Sequence, residues 1–239
     1  MYNQFISDLK KTKHIMDLII NDSVICLYLG GSVSVGTADE DSDYDLVAIT
    51  STGSCIDVGE DLFLTYKGKK VHWYYRPISD LFNESADAIW LIGSLNFRNT
   101  TAELIIYQKP GYEKMISNLL SIKDQLSLVA CYKLFRTKEA MVNRILLTKM
   151  LFTSTATKYV YHLCVAAHYL LNRELNLSLL CDLKNIWIRN IQNYNVPIAI
   201  DCLKQGLDFI DQHPIDVKKE LSYLWETFSN MTGTNIKEN

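Results

Sequence analysis

The chain has 239 residues, of which 48% are hydrophobic and 21% charged, and its formal net charge is -3. This composition is typical of a globular protein with an apolar core, and it excludes disordered, collagen-like and low-complexity chains. No apolar run approaches the roughly 18–20 residues of a membrane span. The first residues mix charged with apolar side chains, unlike a signal peptide. We therefore expect a cytoplasmic protein with no membrane partner, and the near-neutral charge argues against broad, non-specific binding to DNA.

In chain order, hydrophobic residues first recur at three- and four-residue steps within residues 5–19, which predicts an amphipathic helix. Short apolar runs rich in β-branched and aromatic residues then predict strands at residues 24–29, 44–50, 62–66, 71–75 and 104–107. The connection Lys67-Gly68-Lys69-Lys70 predicts a hairpin between the third and fourth of these strands, and another helix is expected to start at residues 79–82.

The remainder of the chain has a helical pattern. Eight of the ten glycines lie at or before Gly111. The predicted helices after it span residues 112–122, 123–137, 139–172 (one helix or two joined), 179–194, 198–212 and a last helix that follows Pro214 and extends to about Met231. This change predicts an α+β protein with two domains, in which residues 1–110 contain the sheet and residues 111–239 are entirely helical.

The cysteines and histidines predict neither a zinc site nor a redox-active cysteine pair. The six cysteines include no C-x2-C spacing, and the five histidines include no HExxH motif. Reduced thiols that pack as small hydrophobic side chains are expected.

The segment that carries chemistry lies between the first two predicted strands. The first strand ends at Gly30-Gly31-Ser32, and the second begins at Asp43-Tyr44-Asp45 after a polar loop. Side chains alternate along a strand, so Asp43 and Asp45 are expected on one face with their Cα atoms about 6.6 Å apart. Carboxylates this close repel each other unless a cation lies between them. Mg2+ prefers such oxygen ligands and recruits substrate phosphates to complete its shell.

The Gly30-Gly31-Ser32 turn supplies the complementary half of this site. Glycine lets the backbone approach a phosphate closely, Ser32 adds a hydroxyl, and a helix beginning here would favour an anion. The turn is not a Walker A loop, since no GxxxxGK[ST] motif is present. A Gly-Gly turn or an Asp-x-Asp pair is common without function, but the two joined by a ten-residue spacer predict one site for phosphate and metal.

This pattern resembles that of the DNA polymerase β-type nucleotidyltransferase superfamily, in particular its minimal and antibiotic nucleotidyltransferases. Gly31-Ser32 matches the family's phosphate-binding pair, Asp43 and Asp45 match its metal-binding pair, and the resemblance covers residues 24–76. It implies a nucleotidyltransferase-type mixed sheet with flanking helices, followed by an all-helical accessory domain. It also implies Mg2+ as the cofactor and transfer of a nucleoside monophosphate from an NTP, expected to be ATP, to a hydroxyl acceptor with release of pyrophosphate.

The sequence departs from this family at one position. The family usually carries a third carboxylate on the strand after the hairpin, and His72 stands there in this chain. Three interpretations stay open: His72 acts as the general base, a carboxylate from elsewhere replaces the missing acid, or the site binds nucleotide without turnover. The candidate replacement acids are Asp57, Glu60, Asp61 and Glu103.

The strand that carries His72 offers one further candidate. Tyr74 and Arg76 are expected on the face of His72, whereas Trp73 and Tyr75 point the other way, into the core. Arg76 either steadies the triphosphate oxygens or forms a surface salt bridge.

The acceptor is the part of the reaction that the sequence defines least. A small, antibiotic-like molecule bound between the two domains is favoured over nucleic acid or protein. The alternatives are a protein or tRNA nucleotidylyltransferase of the toxin–antitoxin type and a non-catalytic nucleotide-binding module. Assembly into an oligomer is left open.

Overall fold

The computed structural model describes residues 2–35, 38, 40, 42–51, 56–57, 64–83, 104–149, 154–173 and 196–233. Within these residues the fold is α+β, with a mixed sheet, flanking helices and a helical C-terminal region, as the sequence predicted. No helix among them is long and apolar enough to cross a membrane.

The sheet has six strands in the described residues. They are β1 Val24–Leu29, β2 Tyr44–Thr50, β3 Ile56–Asp57, β4 Leu64–Tyr66, β5 Lys69–Pro77 and β6 Ile105–Gln108. Their order is β3-β5-β2-β1-β6, and β4 also pairs with β5. The pairing of β2 with β5 is parallel, and every other pairing between these strands is antiparallel. The parallel pair matters most for the site, because it aligns the beginnings of two strands at one end of the sheet.

The sequence predicted five of these six strands, and the short strand β3 was not predicted. The predicted bounds of β1 and β2 are confirmed, and β6 is shifted by one residue. The hairpin turn is tighter than the four residues predicted, since Lys67 and Gly68 alone connect Tyr66 to its partner Lys69. Their φ angles of 50° and 81° are those of a two-residue type I′ turn, which suits the twist of a hairpin.

One face of the sheet packs against two N-terminal helices, α1 Tyr2–Lys11 and α2 Lys13–Ile19. The sheet contributes Leu27, Leu46 and Trp73 to this core. The sequence predicted one helix here, but the helix is interrupted at Thr12, whose hydroxyl donates to the Asp8 carbonyl at 2.8 Å. A threonine hydroxyl that bonds to the backbone competes with helical hydrogen bonding, which accounts for the interruption.

The opposite face packs against the C-terminal helices. After the five-residue helix α3 (Gly31–Val35) and a 3-10 helix (Ile78–Phe82), the helices are α4 Glu113–Ser121, α5 Lys123–Thr148, α6 Ser154–Asn172, α7 Val196–Gln212 and α8 Val217–Thr232. Tyr28, Val47 and Ile49 of the sheet belong to the same buried core as these helices. The sheet therefore lies between two helical layers.

The helix boundaries predicted near residues 138 and 198 differ from the observed ones. The boundary predicted near residue 138 is wrong, because α5 continues to Thr148 and ends where Lys149 takes a left-handed φ of 57°. No glycine or proline interrupts this stretch, and Arg136 bonds to Glu139 across the predicted break at 3.2 Å. Helix α7 begins at Val196, two residues early, because Pro197 is tolerated in a first turn that needs no amide donor.

The helix predicted at residues 179–194 lies outside the described residues. The last helix is confirmed, with Asp216 accepting a bond from the Lys219 amide at its beginning and Gly233 in a left-handed conformation at its end. The domain division at residues 110 and 111 stays a prediction.

Candidate functional site

The phosphate-binding turn and the acid pair meet where β1 ends and β2 begins. Leu29 pairs with Leu46, and the Gly30 amide donates to the Asp45 carbonyl at 2.7 Å. Because β1 and β2 are antiparallel neighbours, the chain leaving β1 runs directly past the start of β2. The Gly30 amide is thus part of the sheet, and the turn proper begins at Gly31.

Gly31 lies directly against the side chain of Asp45. Its φ of 62° is left-handed, and a Cβ placed on it would stand 1.9 Å from Asp45 Oδ2. Only glycine therefore fits this position without moving the carboxylate, on grounds of both backbone conformation and space. Helix α3 begins here, and Ser32 follows as its second, half-buried residue.

His72 joins the acid pair from the neighbouring strand. In the parallel pairing of β2 with β5, Asp45 stands opposite His72. The His72 Nε2 atom lies 3.2 Å from Asp43 Oδ2, with the two side chains 21% and 47% exposed. Asp43, Asp45 and His72 thus converge at one end of the sheet, where solvent reaches them.

Tyr74 is a site residue whose role the sequence did not indicate. Its hydroxyl donates to Asp45 Oδ1 at 3.3 Å. The alternation of β5 had placed Tyr74 on the face of His72, but the partner of its hydroxyl depends on the register between β2 and β5. A tyrosine two residues from a candidate base, on the strand where the resembling family carries its third carboxylate, is the signal that could have indicated it.

Arg76 lies beside the ring of Tyr74 on the same strand. Its guanidinium carbon lies 5.7 Å from the centre of the Tyr74 ring, and Nη1 donates to the Tyr75 carbonyl at 3.3 Å. Its role with the triphosphate stays a prediction. Trp73 is buried on the opposite face as predicted, and the half-buried Tyr75 donates its hydroxyl to the Ile19 carbonyl at 2.7 Å.

The replacement carboxylates are only partly covered by the structure. Asp57 pairs with Tyr74 through the backbone of β3, which places it one strand beyond β5. Glu60, Asp61 and Glu103 lie outside the described residues. The interpretation that a carboxylate from elsewhere replaces the missing third acid therefore stays a prediction.

The donor atoms at this site suit Mg2+ together with a nucleotide. Asp43 and Asp45 offer carboxylate oxygens, which Mg2+ prefers over imidazole nitrogen. Within the described parts of the chain, no group of three or more His, Cys, Asp or Glu side chains is arranged to hold a metal ion. Two carboxylates are nevertheless sufficient for Mg2+ when waters and substrate phosphates complete its shell.

No protein-family model matches the chain, and no curated protein matches it. Among solved structures, the chain is similar to a nucleotidyltransferase-like protein from Exiguobacterium sibiricum 255-15, with 13% sequence identity and a TM-score of 0.32. The match covers 92% of this chain and 79% of the other. These values are too low to support a conclusion about function, which rests instead on the residues of the site.

Proposed function

We propose that the protein is a Mg2+-dependent nucleotidyltransferase that transfers a nucleoside monophosphate from an NTP, expected to be ATP, to a hydroxyl acceptor and releases pyrophosphate. The observation that carries this proposal is the position of Gly31 against the Asp45 carboxylate, where a Cβ would stand 1.9 Å from Oδ2. A backbone turn suited to phosphate and a carboxylate suited to a cation share one location, and a triphosphate with its cation requires both.

Each residue has a role in this reaction. Asp43 and Asp45 would hold Mg2+, which when bound neutralises the charge that develops on the phosphates. Because the Gly30 amide is bonded to the Asp45 carbonyl, we assign the contact with the outgoing pyrophosphate to Gly31 and Ser32. Gly30 then serves to join the turn to the sheet.

To His72 we assign the proton of the attacking hydroxyl. In the transfer step the acceptor O–H bond breaks and its proton passes to the imidazole. A bond forms between the acceptor oxygen and the α-phosphorus, and the bond to the leaving pyrophosphate breaks. The contact between His72 and Asp43 supports this role, because it holds the imidazole beside a carboxylate that would bind the cation.

For the acceptor we propose a small hydroxylated molecule, antibiotic-like in size. The formal net charge of -3 lacks the basic excess on which binding to a nucleic-acid backbone depends. A protein or tRNA acceptor would be recognised in the assay below by turnover with that acceptor alone.

The test is incubation with each α-labelled NTP and Mg2+, with pyrophosphate release followed in the presence and absence of candidate acceptors. We expect Asp43→Asn and Asp45→Asn each to lose at least about 10³-fold in rate, because several kcal/mol of charge stabilisation is lost and about 1.4 kcal/mol is a factor of ten. Asp22→Asn makes the same chemical change at an exposed position and should be as active as the wild type. Mg2+-dependent NTP binding without turnover would contradict the transferase and indicate a nucleotide-binding module.

The same assay separates the three interpretations of His72. His72→Gln should lower the rate about 10²–10⁴-fold with NTP binding retained if the imidazole takes the proton. A comparable loss in Asp57→Asn, with His72→Gln near wild type, would indicate instead that a carboxylate replaces the missing acid.

A further inference from the structure

The carboxylate of Asp45 is held from two sides. The Tyr74 hydroxyl donates to Oδ1 at 3.3 Å, and the backbone of Gly31 lies against Oδ2, where even one added carbon would clash. A carboxylate on a short side chain can rotate about its last bond. Contacts on both oxygens restrict that rotation, so the orientation of this group is determined before any cation binds.

Tyr74 is itself firmly placed. It lies within β5 and pairs through its backbone with Val47 of β2 on one edge and with Asp57 of β3 on the other. The Arg76 guanidinium carbon lies 5.7 Å from the ring centre, within the range of a cation–π contact. The pairing along both edges fixes the backbone from which Tyr74 extends, and the contacts of its side chain with Asp45 and Arg76 restrict the ring.

The Tyr74 hydroxyl is a suitable hydrogen-bond donor to a carboxylate that must still attract a cation. A lysine or arginine at this position would neutralise Asp45 and compete with Mg2+. A tyrosine hydroxyl donates a hydrogen bond and adds no charge. Partners of this kind orient the ligands of metal sites, and their loss typically weakens metal binding about 10–100-fold.

We infer that Tyr74 is a positioning residue that orients the Asp45 carboxylate for the cation, an inference that rests on the proposed function of the site. Tyr74 touches neither substrate nor cation in this assignment and acts only through Asp45. Its removal should therefore weaken cation binding while leaving the rate at saturating cation little changed.

The test is Tyr74→Phe, which removes the hydroxyl and keeps the ring. Mn2+ serves as the probe, and its binding to the full chain is measured from the loss of the free-ion electron paramagnetic resonance signal. We expect binding weakened about 10–100-fold relative to wild type. In the transferase assay, the Mg2+ concentration for half-maximal rate should rise by a similar factor, with the maximal rate within about threefold of wild type.

Tyr75→Phe is the matched control. It removes the hydroxyl of the next residue, which bonds to Ile19 on the opposite face of the sheet, and should leave Mn2+ binding unchanged. The thermal midpoints of both variants identify any loss that comes from unfolding alone.

Two results would overturn the inference and are distinguishable. Wild-type affinity for Mn2+ in Tyr74→Phe, or equal weakening in Tyr75→Phe, would refute the positioning role and leave the proposed function intact. A wild-type protein whose Mn2+ binding is absent or insensitive to Asp45→Asn would refute the cation site of the proposed function and this inference with it.

Discussion

Gly31 shows how much of the site depends on the absence of a single side chain. It combines a left-handed φ of 62° with direct packing against Asp45. We expect Gly31→Ala to displace the carboxylate and lower the Mg2+-dependent rate at least about 10²-fold, because a misplacement of about 1 Å at a reacting site can cost this much. The pyrophosphate assay measures the rate, and denaturant unfolding should show a stability loss above about 1 kcal/mol.

The variant Gly68→Ala separates the steric clash with Asp45 from the energetic cost of a left-handed backbone conformation. Gly68 has a φ of 81°, but a Cβ there would meet nothing within 4 Å. The Gly68→Ala variant should lose about 1–2 kcal/mol of stability, because alanine is strained in the left-handed conformation, and should remain active. Full activity in Gly31→Ala would contradict the close approach on which the proposed function depends.

At the scale of elements, the hairpin of β4 and β5 is hydrogen-bonded to α1 and packs against it. The Tyr66 hydroxyl donates to Asp8 Oδ2, and Phe5 stacks on Tyr44 with ring centres 3.9 Å apart and meets Tyr66 edge-on. These contacts cover the sheet face opposite the site. They hold in place the hairpin from which β5 carries His72 and Tyr74.

The Asp8–Tyr66 bond predicts a pH dependence of stability. Bonds from Tyr66 and Gln4 lower the pKa of Asp8, and the charges of Lys67 and Lys11 lower it further. A pKa lower in the folded than in the unfolded state, where it is about 3.9, gives stability that is present above about pH 4 and lost as the pH falls through the folded pKa. The stability of the Tyr66→Phe variant should therefore depend less steeply on pH below about pH 4, as measured by urea unfolding at several pH values.

Tyr75→Phe provides the comparison for this prediction. Its hydroxyl bonds to a backbone carbonyl, which does not titrate, so its stability loss should be the same at pH 3 and pH 6. If the stability of Tyr66→Phe fell as steeply with acid as that of the wild type, the Tyr66–Asp8 bond would contribute nothing to the pH dependence.

At the scale of the whole molecule, Phe82 links the sheet to the C-terminal helices. Its ring centre lies 5.0 Å from that of Trp225 and 5.3 Å from that of Phe228, both on α8. It belongs to the continuous core that also contains Val47 and Ile49 of the sheet. Residues on both sides of the predicted domain boundary therefore bury their apolar surface together.

We expect Phe82→Ala to lose about 3–5 kcal/mol of stability, the usual result of removing a buried aromatic ring. Because one core serves both regions, the sheet and the helices should unfold in one transition, with coincident tryptophan fluorescence and far-ultraviolet circular dichroism. Tyr223→Ala on α8, where the side chain is 63% exposed, should change stability by less than about 0.5 kcal/mol. Two separate transitions would show instead that the regions fold independently.

The sequence by itself determined the parts of the protein that depend on neighbouring residues. The bounds of β1 and β2 follow from short apolar runs. The expectation that Asp43 and Asp45 share one face follows from the two-residue period of a strand and stays a prediction, since β2 begins at Tyr44. Local patterns failed at two helix boundaries. At Thr12 a side-chain bond to the backbone interrupts a helix that was predicted to continue, and near residue 138 α5 continues where a break was predicted.

Only the tertiary structure decided which side chains meet. The contacts of Gly31 and Tyr74 with Asp45, and of His72 with Asp43, depend on the pairing of β1, β2 and β5. Arg76, expected either at the triphosphate or in a surface salt bridge, lies beside the Tyr74 ring, and its role stays a prediction. The physical reason is that strand pairing joins segments far apart in the chain. A register shift of one residue would turn each of these side chains to the other face of the sheet.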